Sequence, residues 1–356
     1  MYKYIIIFFL IFIQTKSQVD NKLLVNDWTK VKTKTIDGSK DLSEPFSISK
    51  YYNWKITPKQ ICMKTESIYV QPNGCYDYTI DKQTLRTTPD SGYRIIKLDN
   101  DSLIVVEDVK GKTEKDKVKK MWFVKTSKII DEYKSKTKND SVLKATAFFT
   151  PTLNNYLLLE VAKDFQKKNT YPSLLFKGNL IIYPKIKQID LLANEEKFNL
   201  DKNFLIIKTA INKSFNNWNL DSFQTFDKIY IPFILESKME KMKGGMTFKG
   251  VRIYFFMDDF SDIPKVYGPK MEDLELAQEY FQKAVKYLQN KNYDKAIDFF
   301  NKGYELNNSK VDALYNIVSI YSALKDKPNM CLTLKRLKDL EQVDGTYLYN
   351  NHCVKN

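Results

Sequence analysis

A spacing of 34 residues constrains the last quarter of this chain more than any other feature of it. In two rows offset by that spacing, Tyr280 falls over Leu314, Ala284 over Val318, Tyr287 over Tyr321, Ala296 over Met330, Phe300 over Leu334 and Gly303 over Leu337. Each row reads as a pair of amphipathic helices, with small Ala284 and Ala296 where the two helices cross and Tyr293-Asp294 opening the second. A helix pair cannot bury its apolar face alone, so such units must stack on a neighbour.

The stretch AQEYFQKAVKYLQNKNYDKAIDFFNKGYEL, residues 277–306, resembles the tetratricopeptide repeat in this period and these positions. The second copy is degenerate, with Met330 in place of a small residue. The resemblance implies a peptide-binding groove lined by the first helix of each repeat, here by Phe281, Val285, Leu288, Asp312 and Tyr315. The Lys and Asn that clamp a peptide carboxylate in some members are absent at Phe281 and Val285, so the implied groove is apolar or mixed. A purely structural helical cap is the competing reading. Two repeats fall short of the roughly three needed for stability, so residues 271–344 should dock on the preceding domain or be closed by the tail, 345–356.

The other end of the chain has period two. Between Trp28 and Lys125 the segments WTKVKTKTID, PFSISKYYNW, KQICMKT, CYDYTI, TLRTT, YRIIKL, SLIVVED and KMWFVKT alternate apolar with polar residues, and Asp37-Gly38, Asn73-Gly74, Asp81-Lys82 and Asn100-Asp101 supply the reversals. Sequential short strands of this kind predict an antiparallel barrel or meander over 18–126. LLVNDWTKVKTKTIDG and YRIIKLDNDSLIVVED resemble the small lipocalin-like domains of secreted bacterial proteins. That resemblance implies a barrel able to enclose an apolar ligand; a barrel filled by its own side chains satisfies the same pattern. The charged stretch SKIIDEYKSKTKND, within 127–144, reads as a linker or a short exposed helix.

In the middle, residues 145–258, a helix carrying Tyr156, Leu159 and Phe165 on one side precedes Pro172 and a strand over 179–186. A second helix follows, with Phe204, Ile207, Ile211, Phe215 and Trp218 on one stripe, and then the strand KIYIPFIL. The order Tyr171-Pro172, Gly178, helix to Trp218 and Ile231-Pro232-Phe233 resembles the carboxy-terminal domain of TonB-type proteins of Bacteroidetes, without the family's glycine after the Trp. Proline lacks the N–H of a central strand, so Pro232 predicts a sheet edge where a partner's extended segment pairs with Ile229, Ile231, Pro232 and Phe233. Alternatively KGVRIYFFMDD, residues 249–259, folds back and closes that edge. A Pro- and Gly-containing linker occupies 259–270.

Export is the expected fate of the chain. Lys3 precedes the apolar run Tyr4 to Ile13, too short at about 1.5 Å per residue to span roughly 30 Å of hydrocarbon, and Thr15 and Ser17 suit cleavage of a signal peptide over 1–17. The net charge of +14 carries only four arginines among 57 basic residues, scattered among acids, which argues against nucleic-acid readout. Four cysteines and a single histidine, His352, give no zinc-ligand spacing. Cys62 and Cys75 can bridge only if the strand ends near Thr65 and the next residues loop; a strand to Val70 would separate them, and the sequence leaves both open. No nucleophile–base set, phosphate loop or dinucleotide motif stands in its structural context.

These readings predict a multidomain α+β chain: an N-terminal antiparallel β-barrel or meander, a small central helix-on-sheet domain and C-terminal tetratricopeptide helices. The expected function is that of an exported, non-enzymatic envelope protein, periplasmic or secreted, that binds protein or peptide partners. It should use no cofactor, metal or nucleic acid and keep no transmembrane segment after signal removal. Receptor-coupled transport of the TonB type and carriage of an apolar ligand in the barrel are the alternatives.

Overall fold

The computed structural model describes residues 19–42, 51–155, 172–241, 247–263 and 270–354, with positions 157, 159, 162, 163 and 165. The signal segment, residues 45–50 of the second β segment, Tyr156, Tyr171, the KGG stretch at 243–245 and residues 264–269 of the linker lie outside the described residues.

Period-two alternation becomes nine strands: β1 (Asp27–Thr35), β2 (Asn53–Ile56), β3 (Gln60–Lys64), β4 (Gly74–Asp77), β5 (Thr79–Asp81), β6 (Thr84–Thr88), β7 (Ser91–Leu98), β8 (Ser102–Val109) and β9 (Lys119–Lys125). They form one antiparallel sheet in the order β4-β3-β2-β1-β9-β8-β7-β6-β5. Its two outer strands are separated in sequence by Tyr78 alone, so the chain itself bridges the seam and the sheet is a nearly closed barrel. Tyr78 fixes that corner: its N–H donates to the Lys59 carbonyl (3.1 Å) and its hydroxyl to the Thr57 carbonyl (2.9 Å). The inward positions fill the interior with Trp28, Trp54, Leu85, Leu103 and Phe123, all buried. The Trp54 ring lies 4.4 Å from Phe123 and 4.7 Å from Tyr93. Of the two interiors compatible with the sequence, this is the filled one.

Of the two readings of the charged stretch after the barrel, a linker or a short exposed helix, the structure contains the helix: α2 (Thr126–Lys136) continues directly from β9; α1 is the short helix Asn21–Leu24 ahead of β1. α2 packs Ile130 and Tyr133 on the central domain, Tyr133 stacking on Phe149 at 5.8 Å. That domain comprises β10 (Val142–Lys144), β11 (Thr152–Leu153), β12 (Leu174–Tyr183), β13 (Gln188–Ala193), α3 (Glu196–Asn199), α4 (Lys202–Asn212), β14 (Trp218–Asn219), β15 (Lys228–Lys241) and β16 (Thr247–Phe255). The main sheet runs β10-β15-β12-β13, with β16 also on β15; β10 is parallel to β15 and the other pairings are antiparallel.

Several central expectations are corrected. The strand predicted over 179–186 runs from Leu174 to Tyr183 and ends at Pro184, leaving Ile186 exposed in the turn, and β13 follows at once. Leu159 is 59% exposed, whereas Leu157 and Phe165 are buried: positions 157 and 165 are two 4-residue steps apart on a helix, and 159 points elsewhere. α4 begins at Asp201, whose carboxylate accepts from the N–H groups of Asn203 and Phe204, and it buries Phe204, Ile207 and Ile211. It stops at Asn212 rather than Trp218, because the Ser214 hydroxyl takes the Ile211 carbonyl and the chain tightens into a 3-10 turn before β14. Trp218 stays buried, its indole N–H donating to Ser214 Oγ at 3.1 Å.

The C-terminal pattern forms α5 (Met271–Gln289), α6 (Tyr293–Leu306), α7 (Asp312–Ala323), α8 (Lys327–Asp339) and α9 (Val343–His352). Ala284 and Ala296 are fully buried where α5 meets α6, and a Cβ on Gly303 would approach the Ala277 carbonyl to 3.1 Å. The expected tail is α9, which covers the last repeat and is tied to α8 by a Cys331–Cys353 disulfide.

Candidate partner-binding surface

The proposed edge strand lies in the middle of its sheet. β15 pairs with β12 along one side, from Leu174↔Ser237 to Ile182↔Ile229, and on the other side with β10 at 228–230 and with β16 from Phe233 to Lys241. Ile229, Ile231 and Phe233 are buried, so these residues and Pro232 do not present an open edge. Proline is tolerated because its nitrogen points to the gap between two partners: Ala145 N–H donates to the Tyr230 carbonyl at the end of β10, and Phe256 N–H donates to the Pro232 carbonyl (2.8 Å) at the end of β16. Of the two readings, it is the fold-back of 249–259 that the structure contains.

That pairing moves the sheet edge to β16. Since Phe256 faces β15, the alternate positions Val251, Ile253 and Phe255 aim their backbone groups away from it, and among the described residues no further strand pairs there. The opposite edge, β13, is blocked by side chains. Asn199 both donates to the Ala193 carbonyl (3.1 Å) and accepts from its N–H (3.0 Å), and Asp190 accepts from the Leu191 N–H (2.9 Å). The Asn212 amide, oriented to its network, donates to the Ile189 carbonyl (2.9 Å).

The groove residues of the helices fall into two groups. Phe281, Val285 and Leu288 lie along α5 as partly buried apolar residues on the helical core, with Phe281 edge-on to Phe300 at 5.3 Å. Asp312 is in the first turn of α7. Tyr315, one turn on, has a structural bond: its hydroxyl accepts from Gly345 N–H (3.1 Å) at the start of α9. Burial pushes its phenol up, the Gly345 bond opposes this, and the charges of Asp344, Asp37 and Asp116 add to the rise.

Two of those aspartates come from the barrel, which docks here. The Gln342 side chain does not cap α9; instead Val343 N–H donates to Ser39 Oγ (3.0 Å), a helix cap supplied by the turn after β1. Ser39 is oriented by Asp37, which accepts from Ser39 Oγ at 2.6 Å and from Thr35 Oγ1 at 2.5 Å. Burial raises the Asp37 carboxyl, but the Ser39 and Thr35 hydroxyls outweigh it and hold the group below the usual carboxylate value. Lys40 pairs with Glu341 (3.2 Å), and the Gln342 amide donates to the Lys40 carbonyl (3.2 Å). Gly38, at φ +99°, makes the turn that lets Val343 approach.

A second contact joins barrel and sheet. The loop between β3 and β4 inserts Ile68 and Tyr69 into the central core; Leu153 N–H donates to the Ile68 carbonyl (2.6 Å) and Val70 N–H to the Leu153 carbonyl (2.9 Å). The Cys62–Cys75 disulfide closes the base of that loop, the two residues being directly opposite across β3 and β4. Nearby, burial pulls the Lys64 ammonium down to about 8; Asp27 opposes this and Lys55 reinforces it. Among the described residues, no group of three His, Cys, Asp or Glu side chains is placed to hold a metal ion.

The tetratricopeptide repeat model matches residues 287–310, the last turn of α5 and all of α6. No curated protein and no solved structure matches the chain. Sequence reasoning missed Ser39 and the Cys331–Cys353 bridge. The Asp-Gly turn at 37–38 was visible, but nothing local says that its serine caps a helix 304 residues away.

Proposed function

We propose that this chain is an exported, non-enzymatic scaffold of the cell envelope, periplasmic or secreted, whose helical repeats bind a protein partner along α5. The observation that carries the reading is the asymmetry of the repeats: the α8–α9 end is fixed to the barrel through Ser39 and Lys40, while Phe281, Val285 and Leu288 on α5 remain only partly buried. Pairing of all four cysteines supports an oxidising compartment. The test is crosslinking capture from envelope fractions with wild-type protein and with Val285→Lys. An envelope protein captured by wild type and lost with an equally stable variant supports the reading, and unchanged capture contradicts it.

A second reading, a TonB-like role in receptor-coupled transport, draws on the edge of β16 that no described strand pairs, a site for strand addition displaced from the one expected at Pro232. Uptake of receptor-dependent nutrients that is unaltered by deletion of the gene would exclude it. The filled barrel interior gives no support to the third reading, carriage of an apolar ligand.

A further inference from the structure

A cleft of about 260 Å³ opens where the disulfide-closed loop of the barrel meets the β11–β14 ribbon. Among the described residues its lining contains no charged one, in a chain of which 28% is charged. Leu153, Leu157 and Leu159 form an apolar wall, and four amide side chains, Gln71, Asn154, Asn155 and Asn217, line the rest with Ser214. Leu159 keeps more than half of its surface in solvent, an unusual exposure for a leucine facing a concave site. The backbone of this region is fixed: Asn154 N–H donates to the Asn217 carbonyl (3.0 Å), and Asn217 N–H to that of Ser214 (2.9 Å). The four amide side chains, by contrast, make no hydrogen bond to other described residues.

We propose that this cleft binds a neutral acetamido group, CH3–CO–NH–R. The match is chemical. The methyl suits the leucine wall, and an amide side chain offers both the donor and the acceptor that a carboxamide needs, without the desolvation of a charge. At about 30 Å³ per water the space holds roughly nine waters, room for one such group together with the first atoms of whatever carries it. Binding is non-covalent and independent of the α5 surface. The acetamido group occurs on N-acetylated sugars and on acylated peptides, and the wall and rim recognise what the two share.

The test is saturation-transfer NMR on the full mature chain with two probes, N-acetylglucosamine and N-acetylalanine N-methylamide, and with glucose as the control lacking the acetamide. The expected result is transfer to the acetyl methyl of at least one acetamido probe, none to glucose, and at least a fivefold weaker signal in Asn154→Ala/Asn217→Ala at unchanged melting temperature. Transfer to N-acetylglucosamine alone assigns a sugar, and to the peptide probe alone an acylated chain. No transfer from either probe at 10 mM on the order of the weakest useful affinities, or equal transfer in wild type and variant, overturns the proposal. Should the double variant unfold, Leu159→Lys, which alters an exposed side chain on the apolar wall, must abolish the methyl signal.

Discussion

Ser39 has two tasks. Its hydroxyl hydrogen goes to Asp37, and its oxygen accepts the Val343 N–H that opens α9. Ser39→Ala therefore removes an N-cap supplied from another part of the chain and is expected to cost about 1 kcal/mol in urea unfolding, with faster amide exchange at 343–346. Because the Asp37 carboxyl is held below its unfolded value, its contribution is present above about pH 4 and lost as pH falls through the lower folded value; Asp37→Asn should flatten that acid limb. Lys64 has the opposite sense. Its folded value of about 8 lies below the roughly 10.4 of an unfolded lysine, so the unfolded chain binds more protons between the two and stability rises with pH across that window. Lys64→Met should stabilise the protein at pH 7 and lose its advantage by about pH 10.5; parallel wild-type and variant curves would contradict the assignment. None of this was legible in sequence, because a half-buried lysine and a serine in a turn look like any others until the fold places their neighbours.

At the scale of elements, periodicity was a good guide and boundaries were a poor one. The alternation from Trp28 to Lys125 gives the barrel strands, and the 34-residue spacing gives α5 to α8 with Ala284 and Ala296 at their crossing. The stripe ending in Trp218 misled because its last two members lie beyond Ser214, whose side chain ends the helix. Pro232 misled because a strand with two successive partners on one side has an interior position without a required donor. Gly178 shows how tightly that sheet is set: a Cβ there would collide with the Leu192 carbonyl and the Phe233 ring, so Gly178→Ala should cost about 1–3 kcal/mol by thermal or chemical unfolding. The Cys331–Cys353 bridge closes 22 residues across α8 and α9, and its removal should cost about 3 kcal/mol. Reduction should lower the melting temperature of wild type and leave a Cys331→Ser/Cys353→Ser variant less affected.

On the scale of the whole molecule, three pieces that look independent in sequence are joined at two places. The loop carrying Ile68 and Tyr69 belongs to the barrel in sequence and to the central core in packing, and the turn at Ser39 belongs to the barrel and caps the last helix. The first junction sits beside a disulfide, Cys62–Cys75, and Cys331–Cys353 ties together α8 and α9, the helices that meet at the second. Both bridges need an oxidising compartment, which the proposed export would supply. The most direct measurement is non-reducing peptide mapping by mass spectrometry of the protein isolated from its own cells. The account predicts peptides linked through Cys62–Cys75 and Cys331–Cys353 and a chain beginning after Ser17; free thiols at these positions with residues 1–17 still attached would contradict it.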